Sequence, residues 1–161
     1  MGLVLVTVKF GKEEAAGIEV LDCILPLDIG ACIFKQSYGG IMILETSLEP
    51  DAAALAIMNC PTSLIRTITP VDAVVAADIK EITTKSNSLV GNVPKRLAVN
   101  CTRRGRVIAS SRDVEVAVGK ALKQSGHAIS LSSPKLIVRI DIIGERATIS
   151  VRNPDLLFKK V

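Results

Sequence analysis

Between Glu81 and Asp113 the chain carries no acidic residue. The same stretch holds Lys85, Lys95, Arg96, Arg103, Arg104, Arg106 and Arg112. Arginine forks match phosphate oxygens two bonds at a time, and an uncompensated group of them points to an anionic ligand. A helix is expected to begin at Ser110 or Ser111, with Asp113 and Glu115 in its first turn. Its N-terminal amides would add donors to the arginines. Lys120 and Lys123 fall on the polar face of that helix. The chemistry expected of Lys95, Arg96, Arg103, Arg104, Arg106, Arg112, Lys120 and Lys123 is therefore phosphate binding.

Other chemistry is poorly supplied. There is one histidine, His127, with no carboxylate partner in view. No phosphate-cradling Gly-x-x-x-x-Gly-Lys-Ser/Thr, dinucleotide Gly-x-Gly-x-x-Gly or nucleophile-bearing Gly-x-Ser-x-Gly element occurs. The four cysteines, Cys23, Cys32, Cys60 and Cys101, form no Cys-x-x-Cys pair, so no metal site is expected and they read as reduced, part-buried thiols. No cofactor is implied. The four aromatics, Phe10, Phe34, Tyr38 and Phe158, are too few for a base-stacking platform. No run approaches the length of a membrane span and no export signal is visible, so a cytoplasmic location is expected.

The 161 residues, 48% apolar and 22% charged, suit one domain or two small ones. The net charge of +4 is unevenly spread. Residues 1–64 hold three basic and eight acidic groups, net −5, and residues 65–161 hold 17 and eight, net +9. An acidic or neutral scaffold followed by an anion-binding half is the expected organisation.

The first half reads as strand (3–8), helix (12–25, with Ala15, Ile18, Leu21 and Leu25 inward), strand (31–35), strand (41–45), helix (50–58) and strand (64–68). That βαββαβ order is the ferredoxin-like plan. Such a fold can host acylphosphatase chemistry, but residues 1–64 lack the arginine it needs. The second half reads as a strand end and helix over 72–88, a strand over 96–102 and a basic turn Arg103-Arg104-Gly105-Arg106. A helix bearing Val114, Ala117, Val118, Ala121 and Leu122 on one stripe follows, then a short strand from His127. A hairpin of 136–142 and 146–152 around Gly144-Glu145 completes it.

Residues 95–152 resemble a THUMP domain, an RNA-binding module of tRNA-modification systems. Leu97 to Gly105 is similar to the family's apolar strand ending in a basic pair and glycine. Val114 to Leu122, with Gly119 inside, resembles its helix, and Leu131 to Ile142 its Asn-Pro-Asp strand segment. Lys135 stands where an acid is usual, which adds it to the candidate RNA contacts. The resemblance implies an α+β chain with a ferredoxin-like βαββαβ domain at 1–69 and an α/β THUMP domain at 70–161. It further implies a stand-alone, non-catalytic protein of the type that serves tRNA cytidine acetylation. Such a protein would bind the 3′ acceptor end of tRNA and present it to a separate modifying enzyme, with no catalytic residue of its own. Two alternatives are a small enzyme acting on an anionic substrate, with Ser110, Ser111, Asp113 or Cys101 nearby, and a protein–protein assembly module.

Overall fold

The computed structural model describes residues 2–154 and 158–159. The chain divides into two compact units, one of residues 2–71 with strand 158–159, the other of residues 72–154.

In the first unit β1 (Gly2–Val8) is followed by α1 (Glu13–Ile24), β2 (Cys32–Lys35), β3 (Ile41–Thr46), α2 (Pro50–Met58) and β4 (Ile65–Val71). β10 (Phe158–Lys159) joins them from the far end of the chain. The sheet order is β10-β4-β1-β3-β2, antiparallel throughout. β1 is the continuously apolar, β-branched run, and it lies in the middle of the sheet, as a strand buried on both faces should. Pro50 stands at the start of α2, where its missing N–H costs nothing.

Three expectations are corrected here. A self-contained ferredoxin-like βαββαβ domain does not describe this unit, because β10 extends the sheet beyond β4, pairing Phe158 with Ile68 and Lys159 with Thr67. The second domain, expected over 70–161, accordingly gives its last strand to the first sheet. α1 buries Ala16, Gly17, Val20, Cys23 and Ile24, while Ile18 is 58% exposed and Ala15 and Leu25 also face outward. Two stripes at helical spacing were available, and the one with small residues allows the closer approach to the sheet. Finally, Cys23 and Cys60 form a disulfide rather than two reduced thiols. It ties the last turn of α1 to the segment just after α2, and only Cys32 and Cys101 stay free.

The second unit runs β5 (Ala73–Ala76), α3 (Ile79–Val90), β6 (Arg96–Arg104), α4 (Ser111–Gln124), β7 (Ala128–Ile129), β8 (Leu136–Ile143) and β9 (Arg146–Arg152). Its sheet order is β5-β9-β8-β6-β7, with β6 parallel to both β7 and β8. One face carries Leu97, Val99, Val138, Ile140, Ile142, Ala147 and Ile149 against Ile82 and Val90 of α3 and Val114, Val118 and Leu122 of α4. Because side chains alternate along a strand, Asn100, Thr102, Arg104, Arg139, Asp141, Arg146, Thr148 and Ser150 point to the opposite face.

Candidate nucleic-acid interface

β6 is two residues longer than expected, and this decides the geometry of the arginines. Arg103 and Arg104 are not turn residues. They end the strand, and alternation sends them to opposite faces of the sheet. Arg103 points to the helix side. Its Nη1 donates to the carbonyls of Ile108 at 3.0 Å and Ala109 at 2.6 Å. With Ile108 buried in the core, this pins the loop between β6 and α4 at both ends of its span. Gly105 starts that loop at φ 104°, in the region that favours glycine. The chain therefore turns sharply enough to leave Arg106 on the outside.

Arg104 points to the other face. Its Nη1 donates to Asp141 Oδ1 at 3.4 Å, and Arg139 Nε donates to Oδ2 of the same carboxylate at 3.1 Å. Asp141 is 1% exposed, so a lone carboxylate there would be strongly disfavoured, and two guanidinium groups answer it. Arg146 lies in the same row as Arg104, with Ile143 between them in the register. Two inter-strand steps separate them, roughly 10 Å.

At the start of α4, Ser110 Oγ accepts from the Arg112 amide at 3.1 Å, and Asp113 occupies the first turn. The Ser110 hydroxyl thus takes one of the four amides that a helix start leaves unpaired. The same turn offers the exposed Arg112 side chain, close in sequence to the exposed Arg106.

The remaining candidates lie elsewhere. Arg96 begins β6, seven residues from Arg103 and on the order of 23 Å away along the strand. Lys135 is its neighbour, since the Lys135 amide donates to the Arg96 carbonyl at 2.9 Å. α4 runs back towards this edge, so Lys123 in its last turn, and Lys120 one turn earlier, sit on the same side as Arg96 and Lys135. Eight of the nine cations therefore fall into two groups at opposite ends of β6 rather than one constellation. Lys95 belongs to neither, because its half-buried Nζ donates to the Val90 carbonyl at 2.9 Å and caps the end of α3.

His127 is 4% exposed, with Nδ1 accepting from the Lys95 amide at 3.2 Å and Nε2 facing the Gly91 carbonyl at 2.9 Å. Those partners select the tautomer protonated on Nε2 and give the ring a structural task. Cys101 is equally unsuited to attack. Burial, then the nearby Glu115 and Asp141 carboxylates, push its thiol up to about 12. Glu115 itself accepts from the Cys101 amide at 3.0 Å. Among the described residues no group of three His, Cys, Asp or Glu could hold a metal ion.

The residues missed from sequence are Arg139, Asp141 and Arg146. Arg139 and Asp141 are the polar interruptions in the otherwise apolar β8, two apart and hence on one face, and that spacing was the available signal.

Comparisons with known proteins bear on this site. The THUMP domain family model matches residues 75–152. No curated protein matches the chain. In solved structures, PH1313 from Pyrococcus horikoshii Ot3 matches 99% of the chain at 19% identity, with a TM-score of 0.74 and 55% of that protein covered. TrmN from Thermus thermophilus matches 94% at 19% identity, with a TM-score of 0.68 and 45% of its length covered. A 4-thiouridine synthetase solved with RNA and bound ATP matches 94% at 14% identity, with a TM-score of 0.65 and 41% covered. Other matches carry the names of a putative methyltransferase and of predicted or possible methylases. The chain spans about half the length of the solved proteins it matches, and at these identities what is shared is the fold.

These matches correct the expected identity and role. The chain's fold is shared with portions of proteins that include nucleic-acid-modifying enzymes. A ferredoxin-like domain joined to a stand-alone THUMP adaptor is not the arrangement they support. The expectations of a non-catalytic protein and of a separate modifying enzyme as its partner fall with it.

Proposed function

We propose that this chain is the RNA-holding portion of an enzyme that modifies tRNA, and that it grips the nucleic acid through the arginines around the end of β6. The observation that carries this reading is the exposed pair of Arg106, on the loop that Arg103 holds, and Arg112, in the first turn of α4, within the segment that matches the THUMP family model. Holding the loop backbone matters because it lowers the cost of ordering that segment on binding. The fold likeness to a thiouridine synthetase solved with RNA, and to proteins named as methylases, supports catalysis on the RNA that is held. The 3′ acceptor end is the expected part of the substrate. With few aromatics, affinity would rest on phosphates and on the shape of folded RNA. Arg96, Lys123 and Lys135 would form a separate contact at the other end of β6.

A tRNA-handling role fits a cytoplasmic location. Among the described residues no helix is long and apolar enough to cross a membrane.

The test is the nucleoside content of tRNA from cells whose own copy carries Arg106→Ala and Arg112→Ala. One modified nucleoside should fall, with the protein present at its normal level. An unchanged nucleoside profile would overturn the proposal.

A further inference from the structure

We infer that Arg104 and Arg139 form a second phosphate-binding site, positioned by Asp141, on the sheet face that neither α3 nor α4 covers. This deepens the RNA-holding reading and rests on it. Three rows of the register compose the site. Asn100 lies across from Arg139, Thr102 across from Asp141, and Arg104 across from Ile143. Asn100 and Thr102 are exposed, while Asp141 is buried, so the β6 side of the cluster is open and its anchor is not.

The donors are divided in a way that leaves a clamp. Arg139 uses Nε on Asp141, and both of its Nη groups remain for another acceptor. Arg104 uses Nη1, and its Nη2 and Nε remain. Both side chains are part-exposed, at 28% and 21%, so those donors can be reached. The carboxylate gives one oxygen to each guanidinium, which holds the two groups beside one another and leaves the cluster at net +1. A phosphate diester is the ligand this suits: one charge, two free oxygens and a planar fork on each side. The Thr102 hydroxyl and Asn100 amide beside it suit the neighbouring sugar hydroxyl of an RNA backbone.

A purely diffuse attraction makes a different prediction from a positioned clamp. Asp141→Asn adds one positive charge, so diffuse attraction would tighten RNA binding. Loss of the positioning carboxylate would weaken it. Arg104→Lys with Arg139→Lys keeps the charge and removes both forks.

The probe is a hairpin RNA with an acceptor-like stem and a single-stranded 3′ tail, bound to the full chain and read by fluorescence anisotropy. The double lysine variant should bind about tenfold more weakly at unchanged net charge. Asp141→Asn should also weaken binding, and the loss should be equal for hairpins of different sequence. If Asp141→Asn melts below the assay temperature, the lysine pair carries the test. Wild-type affinity in the lysine pair, alongside lost affinity in Arg106→Ala, Arg112→Ala, overturns the clamp and leaves the proposed function standing. No binding of the hairpin by the unaltered chain overturns both.

Discussion

The arginines at the end of β6 are not equivalent, although in sequence they form one run. Arg106 and Arg112 are exposed, so their replacement by alanine should leave the melting temperature within about 2 °C and weaken RNA binding. Arg103 and Arg104 hold the loop and the buried Asp141, so Arg104→Ala should cost about 1–3 kcal/mol of stability in urea unfolding as well as affinity. A binding loss in Arg103→Ala or Arg104→Ala is therefore ambiguous, whereas one in Arg106→Ala is not. That difference was invisible in the sequence, because partners 5 and 37 residues away make it. Two acids of the first unit contribute to its response to pH. Asp28 is held below its ordinary 3.8 by the Ser47 amide first, then by the Thr46 hydroxyl and the Gly30 amide. Glu13 is held below 4.5 chiefly by the Gly40 amide. For a carboxyl lowered on folding, the stabilisation is complete above the unfolded value and is lost as pH falls through the folded one. These two groups therefore contribute fully at pH 7, and their contribution should decay below about pH 4. Asp28→Asn should lower the urea midpoint at pH 7 and make the acid decline shallower. An identical decline in the variant would contradict the assignment.

At the scale of elements, the disulfide is the clearest departure from the sequence reading. Cys23 and Cys60 are 37 residues apart, and no motif marks them as partners. Only the packing of α1 beside α2 brings them together. Replacing both by serine, or reducing the bond, should destabilise the protein by about 3 kcal/mol in urea unfolding, and reductant should then have no further effect on the variant. Strands and helices were largely legible, since β-branched runs, Pro50 and the stripe of α4 each carry their own local signal. Less legible were features that depend on another element. The inward face of α1 is chosen by the sheet it meets. The last two residues of β6 pair with Ile142 and Ile143 of β8, which a run of arginines does not announce. β10 has two residues and exists through β4.

Across the whole molecule, the net charge of +4 conceals an acidic first stretch and a basic second one, and the basic one includes the segment that matches the THUMP model. The split was legible from the residues. How the cations are distributed was not. They lie at the two ends of β6 and on one face of its sheet, and only topology says which ones stand together. Nor could the residues exclude a stand-alone adaptor, because that reading depended on what the rest of the fold's relatives do. If RNA is held by phosphate contacts at the β6 end, the salt dependence of tRNA binding must register them. Each phosphate contact contributes about 0.7 to 0.9 to the log–log slope. The Arg106→Ala, Arg112→Ala chain should show a slope shallower by about 1.4 to 1.8 with an unchanged melting temperature. A slope equal to that of the unaltered chain would contradict the account.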